Sequence, residues 1–540
     1  MYDYLLKNGF VVDGTGAPWF YADVAIKEGK IAEICKSIPA SSADHVIDVK
    51  GLVVAPGFFD MHAHSEMVYF RHPRAEAKIM QGVTTEFNCQ CGSSCFPVKG
   101  LAAAQIQRRA GCDFQVDWTD LNGYVQRLEA QGVSINSATQ VGFGTVRIAV
   151  LGYENRAPTM DELEEMKALV AEGMEQGAFG MSTGLMYTPQ NFAETGEIIE
   201  LAKVVARYGG VHTSHDRRRG FQKDPRGGRA FLVPCTDTLI EGVRECIRIG
   251  EEAGIPTVWS HAKVPGKQNW GKNLAKVLSE IEDARRRGVD VRIDQYPWTS
   301  RGADGPNGVQ PPNWAEEGGI EKYIERLKDP WTRQRIRADI ESRREEDWED
   351  ILILSVRKEE NRDLVGKTMA EAAKLRGKDP MDLAFDLTIE AERFTATAFS
   401  MCEEDVKTIL KHPLTMVSTD GVAGAVEEGH PRSYGSYPRI LRKYVREERI
   451  ITLEEAIRKM TSASAAHLGV WDRGLLRPGM WADITVFDPI NVREMATYTS
   501  PNEFPVGILY VFVNGVLTVD NGVHTGALAG KVLRHRFHRQ

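Results

Sequence analysis

Long apolar runs are missing from this 540-residue chain. No stretch approaches the ~18 consecutive apolar residues of a membrane span, so no membrane partner is expected. Positive charge is also in deficit. Lys and Arg number 67 against 75 Asp and Glu, giving a net charge of −8 and a pI near 6.0. Phosphate-backbone affinity needs a basic surface, so a nucleic-acid partner is excluded and a small-molecule substrate fits better. The opening MYDYLLKNG lacks the basic region followed by an apolar stretch that marks a secretory leader. Eight cysteines, Cys35, Cys89, Cys91, Cys95, Cys112, Cys235, Cys246 and Cys402, are scattered along the chain. Free thiols in a reducing cytoplasm are the expectation. Neither a solenoid repeat nor a low-complexity tract is present.

A hydrophobic content of 42% supports a large core, and the length suits one big barrel with a smaller second domain; a homo-oligomer is compatible with both. Basic runs at Arg217-Arg218-Arg219 and in the tail KVLRHRFHRQ, and a charged stretch over about 322–350, read as solvated faces or a docking tail.

The first 55 or so residues alternate apolar and polar positions around turn signals at Asp13-Gly14 and Glu28-Gly29-Lys30. The C-terminal runs ADITVFDP, ILYVFVNG and VLTVDNG have the same style, with Asn-Gly hairpin turns. Neither end has enough strands for a stable sheet alone, so residues 1–55 and 466–540 are expected to pair into one small β-sandwich domain. Over 56–465, apolar runs alternate with amphipathic stretches such as MDELEEMKALVAEGMEQ, which predicts βα units and an α/β fold, a (β/α)8 TIM-like barrel. Eight strands are expected to end near His64, Asn88, Gly144, Thr183, His215, His261, Tyr296 and Asp420. The gap before the last is too long for one crossover helix, so about 301–395 reads as an insertion over the catalytic face.

Five groups of candidate metal ligands close these runs: His62 and His64 in GFFDMHAHSE, Cys91 in GVTTEFNCQCG, His215 in GGVHTSH, His261 in PTVWSHAKV, and Asp420 in LTMVSTDG. A lone histidine or cysteine is usually a satisfied core residue. Five strand-end groups together describe strand tips converging on a metal centre, the geometry of a hydrolytic barrel enzyme.

PGFFDMHAH resembles the first-strand signature of the amidohydrolase superfamily. That superfamily commonly bridges two metals with a carboxylated lysine or a glutamate on strand four, but the fourth-strand run here, AFGMSTGLMYTP, offers neither. GVTTEFNCQCG is similar to the second-strand segment of the D-aminoacylase (N-acyl-D-amino-acid deacylase) branch, in which a cysteine thiolate replaces the bridge. Counting from Gly82-Val83-Thr84-Thr85 and Gly92 favours Cys91 over Cys89 or Cys95. SHAKVPGKQNWG, DQYPWTS and HPRSYGSYPRILRKYVREERIITLEEAIRKMT extend the resemblance to most of the chain.

The resemblance implies one tightly bound Zn2+ on Cys91, His215 and His261, and a second, weaker site at His62 and His64. Asp420, also counted among the metal ligands, would be the general acid/base that takes a proton from water and returns it to the departing amine. Tyr296 would donate a hydroxyl to the oxyanion or substrate. Lys263 and Arg432 match positions that hold the substrate carboxylate. The implied activity is deacylation of N-acyl-D-amino acids by a zinc-dependent amide hydrolase.

Four departures from the resembled branch put the substrate in question: Asp216-Arg217-Arg218-Arg219 after His215, the stretch FQKDPRGGRAFLVPC before the next helix where the branch is shorter, Phe143 where the branch has histidine, and TSRGADGPNGVQPPN after Tyr296. A cyclic, N-formyl or aryl amide is the alternative substrate class. A scaffold that has lost catalysis is disfavoured because every ligand and the acid are present.

Overall fold

The computed structural model describes residues 1–111, 114–217, 235–302, 310–342, 344, 346–391, 394–424 and 429–536. Its strands, in chain order, begin with β1 (Tyr2–Val11), β2 (Phe20–Lys27), β3 (Lys30–Cys35), β4 (Ala43–Asp48) and β5 (Val53–Pro56). A second series follows: β6 (Phe58–Asp60), β7 (Val83–Phe87), β8 (Asn136–Ala138), β9 (Val141–Gly142), β10 (Gly180–Gly184), β11 (Val211–His215), β12 (Thr257–Trp259) and β13 (Val291–Gln295). Then come β14 (Arg301–Gly302), β15 (Ile351–Ser355), β16 (Thr395–Ala398) and β17 (Thr415–Val417), and finally β18 (Ile484–Phe487), β19 (Ile508–Val513), β20 (Val516–Asp520) and β21 (Val523–His524).

The two ends of the chain meet in one nine-stranded sheet of order β21-β20-β19-β18-β5-β1-β2-β3, with β4 paired to β1. The hairpin signals act as expected: Glu28-Gly29, Asn514-Gly515 and Asn521-Gly522 all have positive φ at both positions. This matches the right-handed twist of the flanking strands. Alternate side chains, among them Leu6, Val11, Val24 and Val54, bury against Ile484, Val486 and Phe512.

The remaining long sheets are parallel. One has the order β17-β13-β12-β11-β10-β9 and the other β6-β7-β8. Only two residues separate β8 from β9 along the chain. At the other seam, backbone bonds from Met61 N to Val417 O (3.3 Å), Asp420 N to His62 O (2.9 Å) and His64 N to Gly421 O (2.9 Å) join β6 to β17. β10 and β11 are buried at every position, as parallel strands covered by helices require. Helix Met160–Glu175 shows how a local sequence sets such a cover. Thr159 and Glu162 form a reciprocal capping box at its start, and Met166, Val170 and Met174 turn one face inward.

Two expectations need correction. The third parallel strand stops at Gly142, and helix Phe143–Leu151 begins at once, so Gly144 is helical. A Cβ on Gly142 would lie 2.7 Å from Gly92 O; the chain turns here because the Cys91 loop crosses it. The regular strand before the histidine pair ends at Asp60, and His62 and His64 follow on a bent link whose Ala63 bridges to Gly421.

Between β13 and β17 the chain forms a small sheet and a hydrophobic cluster of its own. β14, β16 and β15 form a small antiparallel sheet, and Tyr323, Leu327, Ile336, Ile353, Met381 and Phe385 belong to a core of its own. Among the described residues, no helix is long and apolar enough to cross a membrane.

Candidate metal centre and amide-hydrolysis site

His215 is the last residue of β11; the other ligands lie just beyond strand ends, His62 after β6, Cys91 after β7, His261 after β12 and Asp420 after β17. Their donor atoms converge. Cys91 Sγ lies 3.4 Å from His62 Nε2, 3.6 Å from His215 Nδ1 and 3.4 Å from His261 Nε2. Asp420 Oδ1 lies 3.2 Å from His64 Nε2 and 3.6 Å from His62 Nε2. Three overlapping triads of donors result: His62, His64 and Cys91; Cys91, His215 and His261; and His62, His261 and Asp420. Every expected ligand reaches the cluster, whereas Cys89 and Cys95 point into the core with their sulfurs 4.0 Å apart.

Cys91, His261 and Asp420 have φ of 55°, 36° and 50°. Left-handed backbone is unfavourable for side chains of this kind and clusters at functional sites. It lets each strand turn sharply and aim its donor at the common centre. The Cys91 loop is held from strand four, where Ser182 Oγ donates to Cys89 O (2.6 Å) and accepts from Gly92 N (2.9 Å). Gln190 Nε2 donates to Cys91 O (3.1 Å). A Cβ on Gly184 would lie 2.2 Å from Cys91 O, so only glycine admits the loop there. Strand four thus offers no ligand and instead holds the loop that does.

Burial pushes the Cys91 thiol up, but the His62 and His64 imidazoles outweigh it and bring the thiol below its ordinary value. Burial likewise opposes ionisation of Asp420, yet the Arg432 guanidinium, 2.6 Å from Oδ2, holds its carboxyl well below the usual range. His261 is held well below its ordinary value by burial and by the neighbouring Lys263, which favours the neutral imidazole that ligates metals.

Lys263 Nζ lies 2.6 Å from His261 Nδ1. Lys263 and Arg432 flank Tyr296 at 5.5 and 4.9 Å from its ring centre. These three residues line, with His64, Cys91, His215, His261 and Asp420, a cavity of about 330 Å³. Phe143 does not join them, being fully buried in the main core. Arg217 is buried, donating to Glu245 Oε2 (3.0 Å) and to the carbonyls of Asn191 and Ala193; Arg218 and Arg219 lie outside the described residues.

Sequence reasoning missed the support beneath the ligands. Asp294 accepts from His261 N (2.9 Å) and Ser418 Oγ (2.8 Å), and its second oxygen faces His62 Nδ1 at 3.5 Å. Asp60 accepts from the backbone N–H groups of His62 and Thr419, and the fully buried Lys78 donates to it at 2.7 Å. The acid closing the otherwise apolar strand FFD was a weak signal, since a buried charge must be paired but the run does not name its partner.

An amidohydrolase family model matches residues 45–225 and 313–519. The chain belongs to the amidohydrolase family. This amidohydrolase is a hydrolase of amide bonds of the D-aminoacylase branch. It is 33% identical over 515 residues to the N-acyl-D-glutamate deacylase of Alcaligenes xylosoxydans xylosoxydans, covering 95% of this chain and 93% of that one. To the D-aminoacylase of the same organism it is 32% identical, covering 98% and 97%. The crystal structure of an N-acyl-D-glutamate deacylase from Bordetella bronchiseptica, complexed with zinc and a phosphonate mimic of the tetrahedral intermediate, superposes with a TM-score of 0.80 at 32% identity, covering 99% of each chain. The mixed α/β fold is the one shared with these deacylases.

Proposed function

We propose that this amidohydrolase deacylates N-acyl-D-amino acids, giving a carboxylate and a D-amino acid. The observation that carries this reading is the Cys91 thiol among His62, His215 and His261, with the Asp420 carboxylate beside it and Lys263 and Arg432 on the wall of the same cavity. In this reading the parallel strands of 56–465 are one closed (β/α)8 barrel with its active site at the C-terminal strand ends. Residues 1–55 and 466–540 are its terminal β-sandwich domain, and the unit from about 301 to 395 is an insertion over the catalytic face.

The donor set fits zinc. A tetrahedral shell with Zn–S near 2.3 Å and Zn–N near 2.0–2.1 Å separates neighbouring donors by about 3.5 Å, against the 3.4, 3.6 and 3.4 Å around Cys91 Sγ. Thiolate with imidazole selects zinc over magnesium or calcium. Cys91, His215 and His261 would hold the tighter ion, and His62, His64 and Asp420 a weaker second one. When bound, zinc polarises the amide carbonyl and brings the pKa of a water to about 7.

The proton chemistry belongs to the chain. Asp420, kept ionised by Arg432, accepts a proton from the attacking water as the C–O bond forms. It returns that proton to the amide nitrogen as the C–N bond breaks, since an unprotonated amide nitrogen leaves poorly. Tyr296 offers its hydroxyl to the oxyanion or substrate. Arg432 and Lys263 take the α-carboxylate, which orients the scissile amide toward Asp420.

The test is amine release from paired N-acetyl-D- and N-acetyl-L-amino acids by zinc-supplemented protein. Turnover of the D series only is expected, with Asp420→Asn losing about 10²–10⁴-fold in kcat while keeping the tighter ion. Equal turnover of both series, or a near-normal Asp420→Asn enzyme, defeats the reading.

A further inference from the structure

The cavity wall is unbalanced in charge. Among its described lining residues, Lys263, Arg301 and Arg432 are lysine or arginine, while Asp420 is the one acidic residue. An α-carboxylate accounts for Lys263 and Arg432, which flank the same tyrosine ring. It does not account for Arg301.

Arg301 is built into place. Its side chain is only 12% exposed, and its Nη2 donates to Glu346 Oε1 at 2.6 Å. Glu346 does not belong to the cavity wall, so it stands behind the guanidinium as an orienting group. The backbone is fixed too, since Arg301 pairs with Ala398 and its carbonyl accepts from Thr397 Oγ1 at 2.7 Å. The next residue, Gly302, brings this segment against the other arginine: a Cβ there would lie 3.9 Å from Arg432 Nη2. The two guanidiniums line one cavity, Arg301 paired with Glu346 and Arg432 with Asp420.

We propose that Arg301 determines specificity for a second carboxylate, so that the preferred substrates are N-acyl derivatives of acidic D-amino acids, D-glutamate or D-aspartate. This rests on the deacylase reading above. The two carboxylates of such a substrate are separated by one or two methylenes and an α-carbon, so one can take the Lys263 and Arg432 cations while the other takes the Arg301 fork on the wall of the same cavity. An aliphatic side chain would offer the guanidinium no acceptor. Overall similarity does not choose between the classes, because the D-glutamate-specific relative and the D-aminoacylase match almost equally.

The experiment compares kcat/KM of the zinc-loaded enzyme for N-acetyl-D-glutamate, N-acetyl-D-aspartate, the neutral isostere N-acetyl-D-glutamine, and N-acetyl-D-leucine. An acidic substrate is expected to exceed both neutral ones by about tenfold or more. Arg301→Gln should lower the glutamate-to-glutamine ratio by about tenfold or more. Arg301→Lys, which keeps the charge and loses the fork, should retain part of that ratio, and it covers the case in which the glutamine variant does not fold. If the wild type hydrolyses the D-leucine or D-glutamine derivative as well as the acidic ones, or if the ratio is unchanged in both variants, this inference is overturned and the deacylase reading stands. Failure to hydrolyse any N-acetyl-D-amino acid overturns the reading and the inference together.

Discussion

The ligand-bearing strands and the unit between β14 and β16 are held in opposite ways. Phe58 and Val83 of the first parallel strands share a continuous core with Val53, Val511 and Val513 of the terminal sheet, so the ring of metal donors stands on the packing of most of the molecule. The unit between β14 and β16 keeps a core to itself, and polar contacts tie its 310–316 segment to the cavity side, Gln310 Nε2 donating to Met186 O and Thr188 Oγ1 to Glu316 Oε2. Chemistry therefore sits on a framework that cannot shift without global cost. In the proposed reading Arg301, the specificity residue, sits on the unit that has a core of its own.

The comparison can be broken most severely at its centre. Cys91→Ala removes the donor common to two of the three triads. Tightly bound zinc should fall below one equivalent by elemental analysis, and turnover should drop by more than about 10³-fold; retained metal with near-normal rate would move the centre elsewhere. Phe385→Ala attacks the other side, deleting a fully buried ring of the insertion core. We expect about 3–5 kcal/mol of destabilisation, seen as an early transition in calorimetry, with zinc content unchanged. A single lowered transition accompanied by metal loss would show that the two regions are one cooperative unit. Asp294→Asn keeps shape but removes the charge facing His62, and should weaken zinc affinity by about 10–100-fold in a chelator titration.

The smallest effect concerns the helix that carries Arg432. Arg439 Nη1 and Arg442 Nη2 donate to Glu494 Oε1 at 3.1 and 2.5 Å. Burial pushes the Glu494 carboxyl up, but the Arg442 guanidinium outweighs it and the group is lowered overall. Such a carboxyl contributes stability that is present above the unfolded-state pKa, about 4.5, and is lost as pH falls through the folded value. Glu494→Gln should therefore cost about 2 kcal/mol at pH 7, with the difference in Tm from wild type shrinking below about pH 4. A difference independent of pH would assign the effect to packing instead.

Much of the site was legible because each ligand closes a short, locally encoded run. FFD-MHAH, TTEFNC and HTSH each combine a buried strand with a donor at its end, and strand polarity brings such ends to one side. The hairpin turns were legible for a similar reason, since Asn-Gly requires little beyond its own backbone preferences. Gly144 was misread because its glycine matched a strand end, whereas the turn at Gly142 is dictated by Gly92 O, which lies far away in sequence. Phe143 invited a functional reading that burial removes. Asp60, Lys78 and Asp294 gave too little signal, because a lone acid or lysine in a strand or helix does not disclose its partner.

By itself the sequence determined the donor types, their positions near strand ends and the strand character of the two termini, all of which follow from periodicity and local backbone preference. Only the tertiary structure decided that Cys91 lies between His62, His215 and His261, that β10 holds the cysteine loop, and that Arg301 and Arg432 line one cavity. Those relations depend on distances between residues as many as 170 positions apart for Cys91 and His261, and such distances are set by packing of the whole core rather than by any local preference.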